Sequence, residues 1–193
     1  MTSACIIKLG NEPSAVDFRG AMRHLVGAVS VVTVGRGEDI SGMTVTSVSS
    51  LALDPPTLIV SVNRASSSWP LLKRYGSFGV NILTSDQLDI AECFSGKNGL
   101  KGAERFAGAS WIMRPDAAPL LVGALAAIAC DVEETIERHS HAIVIGRVRG
   151  LRLLARDAAL AYWHGKYDAV DRDEDVALLA EVSFPTSRLK RKA

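Results

Sequence analysis

The sequence predicts a mainly β protein with short helices, in which the strands form a barrel. Many short segments rich in Val, Ile and Thr are separated by turns that contain Gly, Pro, Asp or Asn. The two longest strand candidates, 123–136 and 141–154, stand on either side of the turn at 137–140 and form a hairpin. The chain has no Gly-x-Gly-x-x-Gly motif, which disfavours a doubly wound nucleotide-binding sheet.

The first half of the chain predicts a helix followed by strands. Ser14 begins the helix, in which Phe18, Met22 and Leu25 recur at helical spacing. Strand candidates follow at 29–34, 42–53 and 57–62, with a turn at 35–39. The prolines at 55 and 56 end the second of these strands, because each removes a backbone donor and fixes φ.

The remaining elements alternate between helix and strand. A short helix begins at Ser67 or Ser68, where a hydroxyl caps it and Pro70 stands near its first position. We expect a strand at 77–83, a helix capped by Ser85 that runs to Phe94, and a loop at 96–102. After the long hairpin, 157–164 is predicted to be the last short helix.

The length and composition indicate one compact domain. The 193 residues are enough to bury a sizeable core. We expect a loose N-terminal arm at 1–12, one domain at 13–170 and a C-terminal extension at 171–193. The basic end of this extension is typical of a solvated terminus, whereas the apolar segment 176–182 has a second interpretation, packing on another subunit.

Charge, hydropathy and cysteine usage exclude several classes of function. A net charge of +1 gives no basic surface for nucleic acid. No apolar run has membrane-spanning length, and none follows a basic N-terminus as in a signal peptide. The three cysteines, Cys5, Cys93 and Cys130, lack metal-ligand spacing. We therefore expect reduced thiols, a cytoplasmic protein, and neither a membrane partner nor a metal site.

The segment 44–50, Thr-Val-Thr-Ser-Val-Ser-Ser, combines strand propensity with small hydroxyl side chains. Such a strand leaves its backbone N–H and C=O groups approachable. That surface suits a flat ring whose heteroatom edge hydrogen-bonds to peptide groups. The alternative interpretation is an ordinary edge strand.

The segment 63–68, Asn-Arg-Ala-Ser-Ser-Ser, indicates an anion site. It leads into the helix predicted at Ser67 or Ser68, whose first N–H groups and dipole favour negative charge. The guanidinium of Arg64 adds a fork that matches phosphate oxygens. A serine-rich turn that only caps a helix is the alternative interpretation.

These segments resemble the flavin reductase-like family of FMN-binding split-barrel proteins. The strongest match is 42–68, and four further matches follow in chain order. They are Phe-Gly-Val-Asn-Ile-Leu at 78–83, Cys-Phe-Ser-Gly at 93–96 with Glu-Arg-Phe-Ala-Gly at 104–108 and Trp111, the strand 140–148, and the Tyr-containing turn 162–167. The resemblance covers roughly 17–167 and implies an FMN-binding split β-barrel.

The resemblance also implies where the cofactors bind. The residues that would face the isoalloxazine and ribityl chain are Thr44, Val45, Thr46, Ser47, Ser49 and Ser50. The residues that would hold the phosphate are Asn63, Arg64, Ser66 and Ser68. Phe106 would flank the ring or an adenine, with the core as its alternative place, and Tyr167 would cover the nicotinamide. His141 is expected near the nicotinamide as a contact only, because Ser140 stands where the family often has Asp.

The function implied is an NAD(P)H:flavin oxidoreductase, in which hydride passes from NADH or NADPH to FMN or FAD and reduced flavin serves a separate monooxygenase. Aligned cofactors need no acid or base catalyst from the protein. The resemblance also implies a homodimer. The alternatives are a tightly FMN-bound redox or binding module and a plain β-barrel interaction domain. The sequence leaves open the choice of flavin, the choice of nicotinamide nucleotide, and the partner oxygenase.

Overall fold

A computed structural model describes residues 12–154 and 158–171. Most of the expected N-terminal arm and C-terminal extension therefore lies outside the described residues. The helices are α1 (Ala15–Met22), α2 (Ser68–Tyr75), α3 (Leu88–Phe94) and the 3₁₀ helix η1 (Gly102–Phe106). The first six strands are β1 (Gly27–Ala28), β2 (Ser30–Arg36), β3 (Asp39–Val45), β4 (Ser49–Leu53), β5 (Pro56–Asn63) and β6 (Ser77–Ile82). The others are β7 (Trp111–Arg114), β8 (Ala117–Leu121), β9 (Ala126–Arg138), β10 (His141–Leu153), β11 (Ala159–Trp163) and β12 (Lys166–Val170).

The main sheet has seven antiparallel strands in the order β3-β2-β6-β9-β10-β5-β4. A three-stranded sheet, β1-β11-β12, and the two-stranded hairpin β7-β8 complete the fold. This architecture confirms the mainly β prediction with short helices. The predicted long hairpin is present, and in it His141 pairs with Arg138 across the two-residue turn 139–140.

Two buried clusters pack on opposite faces of the main sheet. On β2, Val31 belongs to a cluster with Phe94 and Val32 to a cluster with Phe78. Consecutive strand residues point to opposite faces, so one strand contributes to both clusters. A Cβ at Gly146 would lie 2.7 Å from Cε1 of Phe78, so the second cluster requires a glycine there.

The predicted strand at 42–53 is wrong in its extent. The structure divides it into β3 and β4, which lie at opposite edges of the main sheet. Between them, the Ser47 side chain accepts from the N–H of Ser61 at 3.2 Å and donates to its carbonyl at 3.0 Å. This side chain takes the place of a backbone ladder partner, so the chain leaves one edge and turns to the other.

Two helix predictions also differ from the structure. Ser85 is not a cap: α3 begins after Gln87, whose Oε1 accepts from the N–H of Thr84 at 3.1 Å. The segment predicted as a last helix instead forms β11, which pairs with β1 and β12. Ala and Leu favour helix, but pairing on both sides outweighs that preference. The β7-β8 hairpin was not predicted from the sequence.

Among the described residues, no helix has the length and apolar character needed to cross a bilayer.

Candidate functional site

A groove of about 470 Å³ opens between the end of β3, the end of β5 and the start of α2. We call it the hydroxyl groove. The predicted site residues that line it are Thr44, Val45, Thr46, Ser47, Asn63, Ser66, Ser68 and His141. Its other lining residues are Gly42, Met43, Ser61, Ser67, Phe94, Ser95 and Arg105. The fold thus brings together the hydroxyl-rich strand and the serine-rich turn, as the sequence predicted.

One wall of the groove is the chain between β3 and β4. Residues 46–48 fall outside the ladders of both strands and form no backbone–backbone hydrogen bond with another described residue. The hydroxyls nearby are already used, since Thr44 Oγ1 donates to the carbonyl of Ala91 at 2.6 Å and Ser47 bonds to Ser61. Peptide groups, rather than these hydroxyls, are therefore the free donors and acceptors of this wall.

A tight turn after β5 forms the opposite end of the groove. Asn63 Oδ1 accepts from the N–H of Ala65 at 2.9 Å, and the Asn63 carbonyl accepts from the N–H of Ser66 at 3.0 Å. Asn side chains favour such turns because they bond to the backbone two residues on. The turn is held to the β9-β10 hairpin, because the N–H of Arg64 donates to the carbonyl of Ser140 at 2.9 Å.

The start of α2 supplies groups suited to an anion. Ser67 is the N-cap, but its side chain makes no capping hydrogen bond, because Ser67 Oγ lies 3.1 Å from Ser41 Oγ. Ser68 Oγ donates to the same Ser41 oxygen at 3.2 Å. Ser66 Oγ is buried and has no hydrogen-bond partner among the described residues. A buried hydroxyl without a partner is costly, so this atom fits a ligand oxygen in the groove.

Arg105 is the cation of the groove, although the sequence analysis gave it no role. Its Nη1 donates to the carbonyl of Gly42 at 2.7 Å, and its Nε donates to the carbonyl of Leu100 at 2.9 Å. These bonds fix the guanidinium beside β3. The signal in the sequence was the Glu-Arg-Phe-Ala-Gly match, which was used there only to recognise the family.

Arg64 does not line the groove. Its Nη2 lies 2.6 Å from Glu137 Oε2, and its Nη1 donates to the carbonyl of His139 at 3.0 Å. Both partners belong to the β9-β10 hairpin, so the side chain points along the turn toward that hairpin. Pairing with a carboxylate on the neighbouring strand explains this orientation, and no sequence pattern indicated it.

His141 stands at the start of β10, next to Asn63 in register on β5. Its Nδ1 lies 2.8 Å from Ser140 Oγ. A hydroxyl either donates or accepts, so this contact orients the ring without fixing its charge. The Nε2 atom remains for a ligand.

The other predicted site residues lie elsewhere. Ser49 and Ser50 are exposed on β4, paired with Ile59 and Leu58, and do not line the groove. Phe106 is 7% exposed and packs edge-on against Phe94 with ring centroids 5.0 Å apart. It therefore lies in the core, which was the alternative position given for it.

Tyr167 packs against Tyr162 at a centroid distance of 5.1 Å, also outside the lining of the groove. Burial, with smaller contributions from Tyr162 and Glu92, raises the pKa of Tyr167 above its usual value. The neutral phenol is therefore the form that this packing favours.

The residues present fit a phosphorylated flavin. Free peptide groups at 46–48 suit the ring edge, and the partnerless Ser66 Oγ, the α2 start and Arg105 suit the phosphate. The groove volume is in the range of cofactor sites. Within 12–154 and 158–171, no group of three or more His, Cys, Asp or Glu side chains is placed to hold a metal ion.

Comparisons with known proteins agree with this geometry. Residues 22–171 match the family model described as flavin reductase like domain. The chain is 35% identical over 169 residues to the FMN reductase (NADH) RutF 2 of Methylorubrum extorquens strain PA1, which covers 86% of this chain and 97% of that protein.

Two solved structures are similar over nearly their whole length. BorF, the flavin reductase component of a bacterial two-component tryptophan halogenase, has a TM-score of 0.75 and 30% identity, covering 83% of this chain and 100% of BorF. The NADH:FAD oxidoreductase of Streptomyces globisporus C-1027, in complex with NAD and FAD fragments, has a TM-score of 0.77 and 25% identity, covering 88% and 100% of the two chains.

Proposed function

We propose that this chain, which belongs to the flavin reductase-like family, is an NADH-dependent flavin reductase that supplies reduced flavin to a separate monooxygenase. The observation that carries the proposal is that the two ends of one groove differ in chemistry. Free peptide groups line one end, and the other end has the hydroxyl of Ser66, which lacks a partner among the described residues; Arg105 lines the same groove. A planar heterocycle with a phosphorylated tail matches both ends.

The ring end of the flavin is assigned to residues 44–47. The unpaired backbone of 46–48 offers donors and acceptors to a heteroatom edge, while Val45 contributes an apolar contact. Ser47 acts indirectly, since its bonds to Ser61 hold this backbone open toward the groove. Ser49 and Ser50 lie on the adjoining strand β4, and we assign them an indirect role in supporting the flavin-binding backbone.

The phosphate end is assigned to Ser66, Ser68 and Arg105, with Asn63 shaping the turn. Charge-assisted bonds from a guanidinium are the stronger kind, and the α2 start favours negative charge. Arg64 belongs to the same turn but pairs with Glu137. We therefore assign it the role of holding the turn in place, and the charge that meets the phosphate to Arg105.

The nicotinamide side is assigned to His141. When bound together, the two cofactors supply the redox chemistry themselves, a hydride passing from nicotinamide C4 to flavin N5. The residues of the chain align the rings and exclude water. Ser140 orients the imidazole, and its Nε2 is available to the nicotinamide carboxamide. Tyr167 and Phe106 support the site from the core.

Three further features belong to this proposal. We infer a homodimer and a cytoplasmic location. We infer NADH rather than NADPH, because Arg105 is the one arginine or lysine among the described residues that line the hydroxyl groove, and a similar protein is named FMN reductase (NADH). The monooxygenase partner is inferred from a further similar structure, the styrene monooxygenase flavin reductase of Pseudomonas putida S12, with 29% identity and a TM-score of 0.70.

The test is steady-state oxidation of NADH and NADPH, followed at 340 nm, with FMN, FAD and riboflavin in turn. The proposal expects flavin-dependent oxidation of NADH, faster than that of NADPH. It also expects any bound flavin to be lost on dialysis. A yellow protein that keeps its FMN through dialysis and oxidises NADH no faster than free FMN does would instead indicate the tightly bound module.

A further inference from the structure

A second groove, of about 710 Å³, lies at the other end of β10. It is bordered by four arginines, Arg36, Arg114, Arg149 and Arg152, and we call it the arginine groove. None of its lining residues lines the hydroxyl groove. The flavin reductase function proposed above makes no use of it.

The groove forms where the β7-β8 hairpin covers one face of the main sheet. Ser77 on β6 and Asp131 on β9 are paired in register, as are Gly79 and Ala129, so their side chains share this face. The hairpin is anchored beside them, because Thr33 Oγ1 donates to the Pro119 carbonyl. The groove is therefore framed by ordered strands.

Two of the four arginines are neutralised by neighbours. Arg149 Nε lies 2.6 Å from Asp131 Oδ2, and Arg114 Nε lies 3.1 Å from Asp116 Oδ1. Arg36 and Arg152 have no carboxylate within ion-pair distance among the described residues. Among the described residues, these two arginines form no ion pair with a carboxylate, although Arg36 lies close enough to Asp116 to help Arg114 lower the pKa of that carboxyl.

Two buried polar atoms at this groove also lack hydrogen-bond partners in the part of the chain that the structure describes. Ser77 is 4% exposed, and its Oγ has no hydrogen bond. Arg36 Nε is buried without a partner, while its guanidinium lies 5.6 Å over the ring of Tyr75. Both atoms are donors, and buried donors without acceptors are uncommon in folded proteins. A bound ligand with hydrogen-bond acceptors would satisfy both Ser77 Oγ and Arg36 Nε.

The floor of the groove is apolar. It includes the buried side chains of Ala118 and Leu120, with Ile112 and Ala129 partly buried. An apolar floor below a cationic rim is typical of sites that orient a small ligand by one polar end. The volume accommodates a single aromatic ring.

We propose that the arginine groove binds a small organic carboxylate with an apolar body, whose carboxylate is held by Arg36, Arg152 and Ser77. The two carboxylate oxygens accept from the Arg36 side chain and the Ser77 hydroxyl, and Arg152 adds charge at the rim. The apolar body covers the floor. The site is separate from the flavin site and binds its ligand independently of it.

The test uses benzoate as the probe, with benzamide as the neutral isostere and acetate as the charge without a ring. Binding to the full chain is measured by calorimetry, with and without saturating FMN. Benzoate is expected to bind saturably, at least about tenfold more tightly than benzamide or acetate, and equally in both conditions. Absence of saturable binding, equal binding of benzamide or acetate, or displacement by FMN would overturn the proposal.

Variants locate the binding. Arg36→Gln and Ser77→Ala are each expected to weaken benzoate at least about fivefold, since each removes a donor to a charged acceptor. Ser77→Ala removes a hydroxyl without a partner, so its thermal midpoint is not expected to fall. Arg74→Gln is the matched control, because Arg74 lies nearby, pairs with Asp39 and does not line the groove. Undiminished benzoate binding by folded Ser77→Ala would contradict the proposal, whatever the fate of Arg36→Gln.

Discussion

Arg105 donates from Nη1 to the carbonyl of Gly42 at 2.7 Å, so an arginine from η1 is fixed against β3 at the edge of the hydroxyl groove. Gly42 is needed there, because a Cβ at this position would lie 2.7 Å from the ring of Phe94. The hydrogen bond between Arg105 and Gly42 thus links η1 to β3 and holds the positive charge of Arg105 at the groove. The predictions below begin from this arrangement.

Arg105→Gln should weaken FMN far more than riboflavin. Losing a charge-assisted contact to phosphate costs about 1.5–3 kcal/mol, or roughly 10- to 150-fold in affinity. Riboflavin lacks the phosphate, so its dissociation constant reports any structural damage from the lost Gly42 contact. Fluorescence titration measures both constants.

Arg64→Gln is the matched control for that experiment. Arg64 pairs with Glu137 and does not line the groove, so its loss should change FMN and riboflavin binding by similar, small factors. A selective loss of FMN binding in Arg64→Gln, with Arg105→Gln unaffected, would return the phosphate role to Arg64.

His141→Asn should raise the KM for NADH while leaving the FMN dissociation constant within about twofold. The ring contacts Ser140 through Nδ1 and lines the groove, and the proposal assigns its Nε2 to the nicotinamide. His139→Asn is the control, since His139 lies in the same turn at φ 50°, which Asn tolerates. An unchanged KM in His141→Asn would remove this residue from the nicotinamide site.

Gly146→Ala should destabilise the fold by about 1–3 kcal/mol through overpacking, measured by urea denaturation. Its Cβ would lie 2.7 Å from Cε1 of Phe78 and 3.2 Å from Cβ of Cys130. Gly150→Ala on the same strand is the control, because nothing lies within 4 Å of the added Cβ. Equal unfolding free energies for the two variants would show that the Phe78 packing is not as described.

Cys130 should resist alkylation by iodoacetamide at pH 8 in the folded protein, while Cys93, which is less buried, reacts faster than Cys130. Burial, aided by the charge of Asp131, raises the pKa of the Cys130 thiol to about 12. The reactive thiolate is therefore scarce at pH 8, and the site is closed to the reagent. Peptide mass spectrometry assigns the modified cysteine. Labelling of Cys130 at the rate of Cys93 would contradict its burial.

Local sequence patterns were sufficient for much of the fold and for part of the site. The long β9-β10 hairpin followed from two β-rich segments around one turn. The helix at Ser68 followed from its serines and Pro70. Both features depend on residues close together in the chain, and for that reason propensity and turn chemistry identify them.

The sequence-based predictions failed where the local structure depends on residues that are distant in the chain. Only the bonds between Ser47 and Ser61 show that 42–53 is two strands. Pairing with β1 on one side and β12 on the other makes 159–163 a strand. Likewise, no sequence pattern indicates the ion pair of Arg64 with Glu137 on a distant strand, so the position of the Arg64 side chain could not be predicted. Sequence spacing carries no information on such partners.

Titration of FMN into the protein and into Ser66→Ala, followed by flavin fluorescence, tests the central claim most directly. Ser66 Oγ is buried without a partner, so the account predicts saturable FMN binding that weakens at least about fivefold in Ser66→Ala with no fall in thermal midpoint. Ser49→Ala, exposed on β4, should bind FMN as the unaltered protein does. No fluorescence change with the unaltered protein would contradict the account.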